Sequence, residues 1–112
     1  FNTTGESWLP APASYKKYAR DVQEGVNGST LELYKKLIAE RKSLQLGSGE
    51  FRWAPEHSSD STLAYVNNGV LVISNFGPDS VSVPDGEVIV STQSSLAAGG
   101  HLEANQSAWI KL

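Results

Sequence analysis

Apolar positions follow two different periods along the chain, and the switch between them divides it. In residues 29–47, Leu31, Leu33, Tyr34, Leu37, Ile38, Ala39 and Leu44 form one wide apolar stripe, with Lys35, Lys36, Glu40, Arg41 and Lys42 mostly opposite. Recurrence at three and four residues places side chains on one face of an α-helix. Ser29 and Glu32 have the spacing of a capping box, in which each side chain satisfies a backbone donor of the first turn, so a helix is expected to start there. Its cations gather toward the carboxy-terminal end, where the helix dipole favours them. Gly47 is expected to close it in the left-handed conformation. The stripe is wider than one small sheet requires, which predicts burial against two partners.

From Gly49 onward the period is two. Residues 62–66 alternate, Asn68-Gly69 supplies two residues able to take positive φ, and residues 70–74 resume as a strand, which together predict a tight hairpin. The unbroken run Val70, Leu71, Val72, Ile73 predicts a central strand covered on both faces. Phe76-Gly77-Pro78-Asp79 and Pro84-Asp85-Gly86 are turns, with short strands expected at 81–83 and 88–91, so the pattern reads as a meander. A Ser, Ala and Gly loop follows at 93–100. The last strand, 107–112, is expected to place Ala108, Ile110 and Leu112 on one face and Trp109 with Lys111 on the other. With a first strand at 51–53, about six strands suffice for a small antiparallel β-sandwich or open barrel.

Residues 1–28 are rich in Pro, Gly, Ser and Thr and read as an irregular connector, with a short helix predicted within residues 12–21 from Pro12 and the spacing of Tyr15, Tyr18, Ala19 and Val22. The expected organisation is therefore a connector over 1–28, a helix over 29–47 and an antiparallel β domain over 48–112. The fold class is mainly β with an N-terminal helical segment.

Composition narrows the function classes. A chain of 112 residues fits one ordinary domain. A net charge of -3 from scattered groups offers no basic stripe for phosphates, so nucleic acid is not an expected partner. No apolar run approaches the roughly 20 residues that span a bilayer, so no membrane partner is expected. The absence of Cys rules out disulfides and thiolate metal sites and points to a cytoplasmic location. The chain begins at Phe1 rather than Met, so a longer parent polypeptide is expected.

Candidate chemistry is sparse. Glu50 and Glu56 flank Phe51, Arg52 and Trp53, but they read as solvated edge and loop residues rather than a catalytic pair. His57 near Glu56 and Asp60 reads as a surface side chain rather than a metal ligand, and His101 is isolated in a Gly-rich loop. No Gly-x-Ser-x-Gly elbow exposes a serine nucleophile. Gly47-Ser48-Gly49 and Gly99-Gly100 are turns without the Lys of a phosphate-binding loop. Sequons at Asn2, Asn27 and Asn105 read as chance triplets in a Ser-rich and Thr-rich chain. Trp8, Trp53 and Trp109 each have a flat indole suited to stacking on a pyranose. Trp109 alternates within a buried strand and reads as packing, whereas Trp8 and Trp53 stand open to either role. No catalytic, metal or cofactor residues are therefore assigned.

The ordered set Phe1-Asn2-Thr3, Trp8-Leu9-Pro10, Gln23, Ser29-Thr30-Leu31, Leu33-Tyr34-Lys35-Lys36-Leu37-Ile38 and Arg41 resembles the tail of α-glucosidases in glycoside hydrolase family 13. It is similar to the run that leaves the eighth barrel strand and enters the last barrel helix. Residues 62–65, 70–75, 88–92 and 107–110 resemble strands of the family's carboxy-terminal β domain. Ser7, Lys35 and Asn27-Gly28 depart from the family's usual residues. The resemblance implies a parent with a (β/α)8 barrel that hydrolyses α-glucosides with retention, through an Asp nucleophile, a Glu acid/base and a second Asp. All three would lie on strands before the eighth, so no position of this chain inherits them. The implied role is a non-catalytic structural domain whose partner is the barrel, with a homodimer as another way to cover the helix. The alternative is an autonomous carbohydrate-binding β module using Trp8 or Trp53, and a further one is a protein-interaction module.

Overall fold

A computed structural model of the chain describes Gly5 and residues 9–112; Trp8 and Asn2 lie outside the described residues. Two compact units result, Phe1–Tyr34 and Lys35–Leu112.

In the first unit the short helix expected within residues 12–21 is split. A 3₁₀ helix, Ala13–Tyr18, is followed by one α-helical turn, α1, Arg20–Gln23. Ala19 between them is extended, with ψ of 148°. No residue of either piece is buried, so nothing repays the ordering of a longer continuous helix.

The long helix α2, Thr30–Ser43, starts as its cap predicts: the Glu32 amide donates to Ser29 Oγ at 3.3 Å. The Glu32 carboxylate reaches farther back and accepts from the Gly25 amide at 3.0 Å. Gln23 completes the start, because its Oε1 accepts from the Leu31 amide while its Nε2 donates to Tyr18 O at 2.7 Å. The helix does not end on Gly47. Gln45 takes the left-handed conformation instead, with φ of 51°, and the Leu46 and Gln45 amides donate to Arg41 O and Lys42 O. This is the Schellman pattern of paired closing bonds. It places Leu46 just beyond the turn, where it is buried, and that burial offsets the cost of a non-glycine residue at positive φ.

The second unit is built on a five-stranded antiparallel sheet in the order β1-β2-β3-β7-β5, from β1 Phe51–Trp53, β2 Thr62–Asn67, β3 Val70–Asn75, β5 Glu87–Ser91 and β7 Gln106–Lys111. Asn68 and Gly69 both have positive φ, 47° and 78°, and Val66 pairs with Leu71 across the expected hairpin. β3 sits at the centre, and Val70, Leu71, Val72 and Ile73 are all buried. Gly49 comes so close to Asn68 that any Cβ there would collide with the Asn68 side chain. The Asn68 amide in turn donates to Leu44 O at 2.9 Å and pins the chain leaving α2 to the hairpin tip.

The meander expected after β3 does not form. Strand β4, Val81–Ser82, leaves the sheet and pairs with β6, His101–Leu102, a strand inside what read as the end of a Gly-rich loop. The described strands number seven rather than about six. The reason is the apolar inner face: Ala64, Val66, Leu71, Ile73, Ala108 and Ile110 need a cover, and Val83, Leu102 and the half-buried Val81 and Leu96 provide it. Leu112, expected to share this face, lies past the end of β7 and is exposed. Strand β5 carries a bulge between Val88 and Val90, so that Val88 pairs with Ile110 on the inner side while Val90 pairs with Trp109 on the outer side.

Asn75 ties the cover to the sheet. Its buried carboxamide donates from Nδ2 to Asp79 O, Leu102 O and Glu103 O at 2.8–3.2 Å, and Oδ1 accepts from the Gly77 amide at 3.0 Å. Asn75→Ala is expected to lower unfolding free energy by about 2–4 kcal/mol, because carbonyls in a dry site lose their donor. Denaturant unfolding measures it, and a loss under about 1 kcal/mol would mean that water replaces the amide. At the hairpin, Gly69→Val is expected to cost more than about 1 kcal/mol, since a β-branched residue tolerates positive φ poorly; an unchanged melting curve would contradict the turn.

Candidate functional site

On the outer face of the sheet apolar side chains line up in one row that is exposed at its β1 end and buried at Val72 and Val90. Register places Trp53 opposite Tyr65, Tyr65 opposite Val72, Val72 opposite Trp109, and Trp109 opposite Val90. A transverse row thus runs across all five strands without a charged residue. Antiparallel sheets with one solvated face alternate apolar inside with polar outside; here Val70, Val72 and Val90 are buried, so this face is open to solvent only toward β1. At the β1 end the rings lock together. Phe51 and Trp53 meet edge to face with centroids 5.0 Å apart, Phe51 and Tyr65 lie 5.3 Å apart, and Trp53 and Tyr65 lie 6.2 Å apart. Phe51 is nevertheless 53% and Trp53 62% exposed, while Trp109 is half-buried, as its strand position predicted. Sequence reasoning singled out Trp53 and missed Phe51 and Tyr65. The signal was present in the Asn68-Gly69 turn and the period-two pattern, which together put 65 beside 53 once β1 pairs with β2.

The titratable candidates stay apart from this row. Arg52, alternating to the opposite side of β1 from Trp53, donates to Glu56 at 2.9 Å. That hydrogen bond holds the Glu56 carboxyl below its ordinary value. A general acid for glycoside cleavage needs the opposite shift, so the geometry does not equip Glu56 for that role. Glu50 is exposed beside β1, and His57 is half-buried in a 3₁₀ turn, Pro55–His57. Among the described residues, no group of three or more His, Asp or Glu stands close enough to hold a metal ion. His101 lies 3.5 Å from Ser82 Oγ on the β4–β6 ribbon. At the end of α2 an open groove of about 470 Å³ is lined by Ile38, Arg41, Lys42, Gln45, Gly47 and Ser48. Its mouth is broad, so it lacks the enclosure of a small-molecule pocket.

Comparison with known proteins gives the fold its relatives. No family model and no curated protein matches the chain. Solved structures do. An inactive double mutant of MUTB superposes with a TM-score of 0.80 and 25% identity, over 98% of this chain and 23% of that one. An isomaltulose synthase mutant from Erwinia rhapontici, in complex with D-glucose, gives 0.77 and 25% over 97% of this chain and 22% of that one. A second mutant of that synthase, in complex with its natural substrate sucrose, gives 0.77 and 24% over 96% of this chain and 22% of its own.

The resemblance to glycoside hydrolase family 13 is borne out.

The chain spans about 23% of the length of the MUTB chain, so it matches one segment of these family 13 enzymes. Among the described residues no helix is long and apolar enough to cross a membrane.

The Arg52–Glu56 pair is exposed, so Glu56→Gln is expected to move the melting midpoint by less than about 3 °C at neutral pH. Because the folded carboxyl titrates below its unfolded value, its small stabilisation is present at neutral pH and disappears as acid carries the solution through and below the usual Glu range. The variant should lack that part of the acid dependence, and a melting loss well beyond this limit would show that Glu56 has a further buried partner.

Proposed function

We propose that the chain is the carboxy-terminal part of a family 13 glycoside hydrolase: a non-catalytic module that packs on a catalytic (β/α)8 barrel supplied by the rest of the polypeptide. Residues 1–28 would lead from the barrel, 29–47 form its last helix, and 48–112 form the appended β domain. The observation that carries this reading is the alignment of nearly the whole chain with under a quarter of each related enzyme. The state of α2 supports it. A helix of 14 residues with a wide apolar stripe buries none of them fully, and Tyr34 and Ile38 stand 61% and 53% exposed. Leaving such surface in water costs roughly 25 cal/mol per Å², a penalty that a covering neighbour removes. A barrel supplies that cover in the family. A second copy of the chain would be another cover, through a two-fold pairing of helices.

The parent reaction on this reading is retaining cleavage or transfer of an α-linked glucosyl group in the cytoplasm, with all reacting carboxylates outside these residues. A carbohydrate-binding module is the second reading, and the exposure of Trp53 is the observation in its favour.

The 112-residue chain is expected to give no turnover of a chromogenic α-glucoside or of sucrose, and the longer polypeptide that carries it is expected to turn over at least one of them. Turnover by the short chain that disappears in Glu56→Gln would overturn the proposal, as would a longer polypeptide without a barrel.

A further inference from the structure

The dipeptide asparagine-glycine occurs twice, at Asn27-Gly28 and Asn68-Gly69, and the fold treats the two differently. We infer that Asn27 is a site of spontaneous deamidation, that Asn68 is shielded from the same reaction by its hydrogen bond to Leu44, and that conversion of Asn27 to isoaspartate loosens the start of α2. A following glycine matters because it puts no Cβ in the way of its own nitrogen. The other described asparagines, Asn67, Asn75 and Asn105, precede Asn68, Phe76 and Gln106.

The reaction needs only water. The Gly28 nitrogen loses its proton and attacks Asn27 Cγ; an N–Cγ bond forms, the Cγ–Nδ2 bond breaks, and the proton leaves with Nδ2 as ammonia. Water then opens the cyclic imide at either carbonyl, giving aspartate or, with the main chain routed through Cβ and Cγ, isoaspartate. No oxidation state changes. An asparagine reacts when its side chain is free to swing onto the next nitrogen and the next amide is free to give up its proton. Asn27 is exposed, and among the described residues no group holds its side chain or accepts from the Gly28 amide. It occupies the second position of a turn closed by the Ser29 amide on Val26 O at 3.1 Å, with Gly28 at φ of 83°.

Asn68 is exposed as well, so access does not separate the pair. Its Nδ2, the atom that must leave, donates to Leu44 O at 2.9 Å, its backbone amide donates to Glu50 O at 2.9 Å, and Gly49 lies against its side chain. Reaction there waits on local opening of the hairpin tip, and its rate falls with the population of the open form. At Asn27 the outcome depends on the product. Three bonds that start α2 bridge residue 27: the Gly25 amide donates to the Glu32 carboxylate at 3.0 Å, Ser29 Oγ to Gln23 O at 2.8 Å, and the Leu31 amide to Gln23 Oε1 at 3.2 Å. Isoaspartate adds an atom to the main chain inside that loop and sets these partners out of register. Aspartate keeps the main-chain length and puts a carboxylate near the positive end of the helix dipole, where it is favoured.

The test is ageing of the 112-residue chain in mildly alkaline buffer, folded and in urea, followed by peptide mapping that separates aspartate from isoaspartate. In the folded chain Asn27 is expected to convert several-fold faster than Asn68, with ammonia released in step. In urea, where Leu44 no longer holds Asn68, the two are expected to convert at nearly equal rates. Asn27→Gln should remove the fast phase of ammonia release. Equal rates in the folded chain, faster conversion at Asn68, or an Asn27 rate in the folded chain many times below its rate in urea would overturn the inference. Amide hydrogen exchange at Leu31 and Glu32 is expected to be several-fold faster in the purified isoaspartate chain than in Asn27→Asp, which carries the same charge on a main chain of normal length. Equal exchange in the two would overturn the loosening of α2.

Discussion

The carboxamide of Asn75 holds together what apolar burial alone would leave loose. The sheet has one face rich in branched aliphatic side chains, and the elements that cover it are short: two strands of two residues each and the loops around them. Strands that short have few ladder bonds of their own. A single buried amide that satisfies carbonyls from the 79 and 102–103 segments, and receives the amide of Gly77, fixes the cover at the point where β3 ends. Apolar contact then selects how tightly the cover sits, while the amide selects where.

A similar division of labour operates at both ends of α2. At its start, Gln23, Ser29 and Glu32 exchange bonds with backbone groups on either side of the turn and settle where the helix begins. At its finish, the paired closing bonds and the buried Leu46 set the direction of exit, and Asn68 accepts the chain at the hairpin tip. The helix is thus specified by polar contacts at its ends, and of its apolar stripe Tyr34 and Ile38 stay exposed while Leu31, Leu33, Leu37 and Leu44 are half-buried.

Elements governed by local rules were legible in the sequence. The Asn68-Gly69 hairpin, the buried run of β3, the capping Ser29 and the alternation of Trp109 with Ala108 and Ile110 each depend on residues a few positions apart. What was not legible depends on distant partners. β6 has only two residues and exists because β4 lies beside it. Gln45 takes the conformation expected of Gly47 because Leu46 finds a buried site. The aromatic row is spread over β1, β2 and β7, and only the register of the sheet brings Phe51, Trp53 and Tyr65 into one cluster. Single residues announced the chemistry of that face, and its extent emerged only from pairing.

The bulge in β5 has a bearing on how such a module stays apart from its neighbours. Both borders of the sheet are poor templates for another strand: β1 presents three residues, and β5 interrupts its free row of amides and carbonyls between Val88 and Val90. Ribbon-like growth by adding strands border to border, the common hazard of open sheets, is thereby discouraged. Contacts with anything else are directed to the broad faces, where side chains rather than backbone choose the companion.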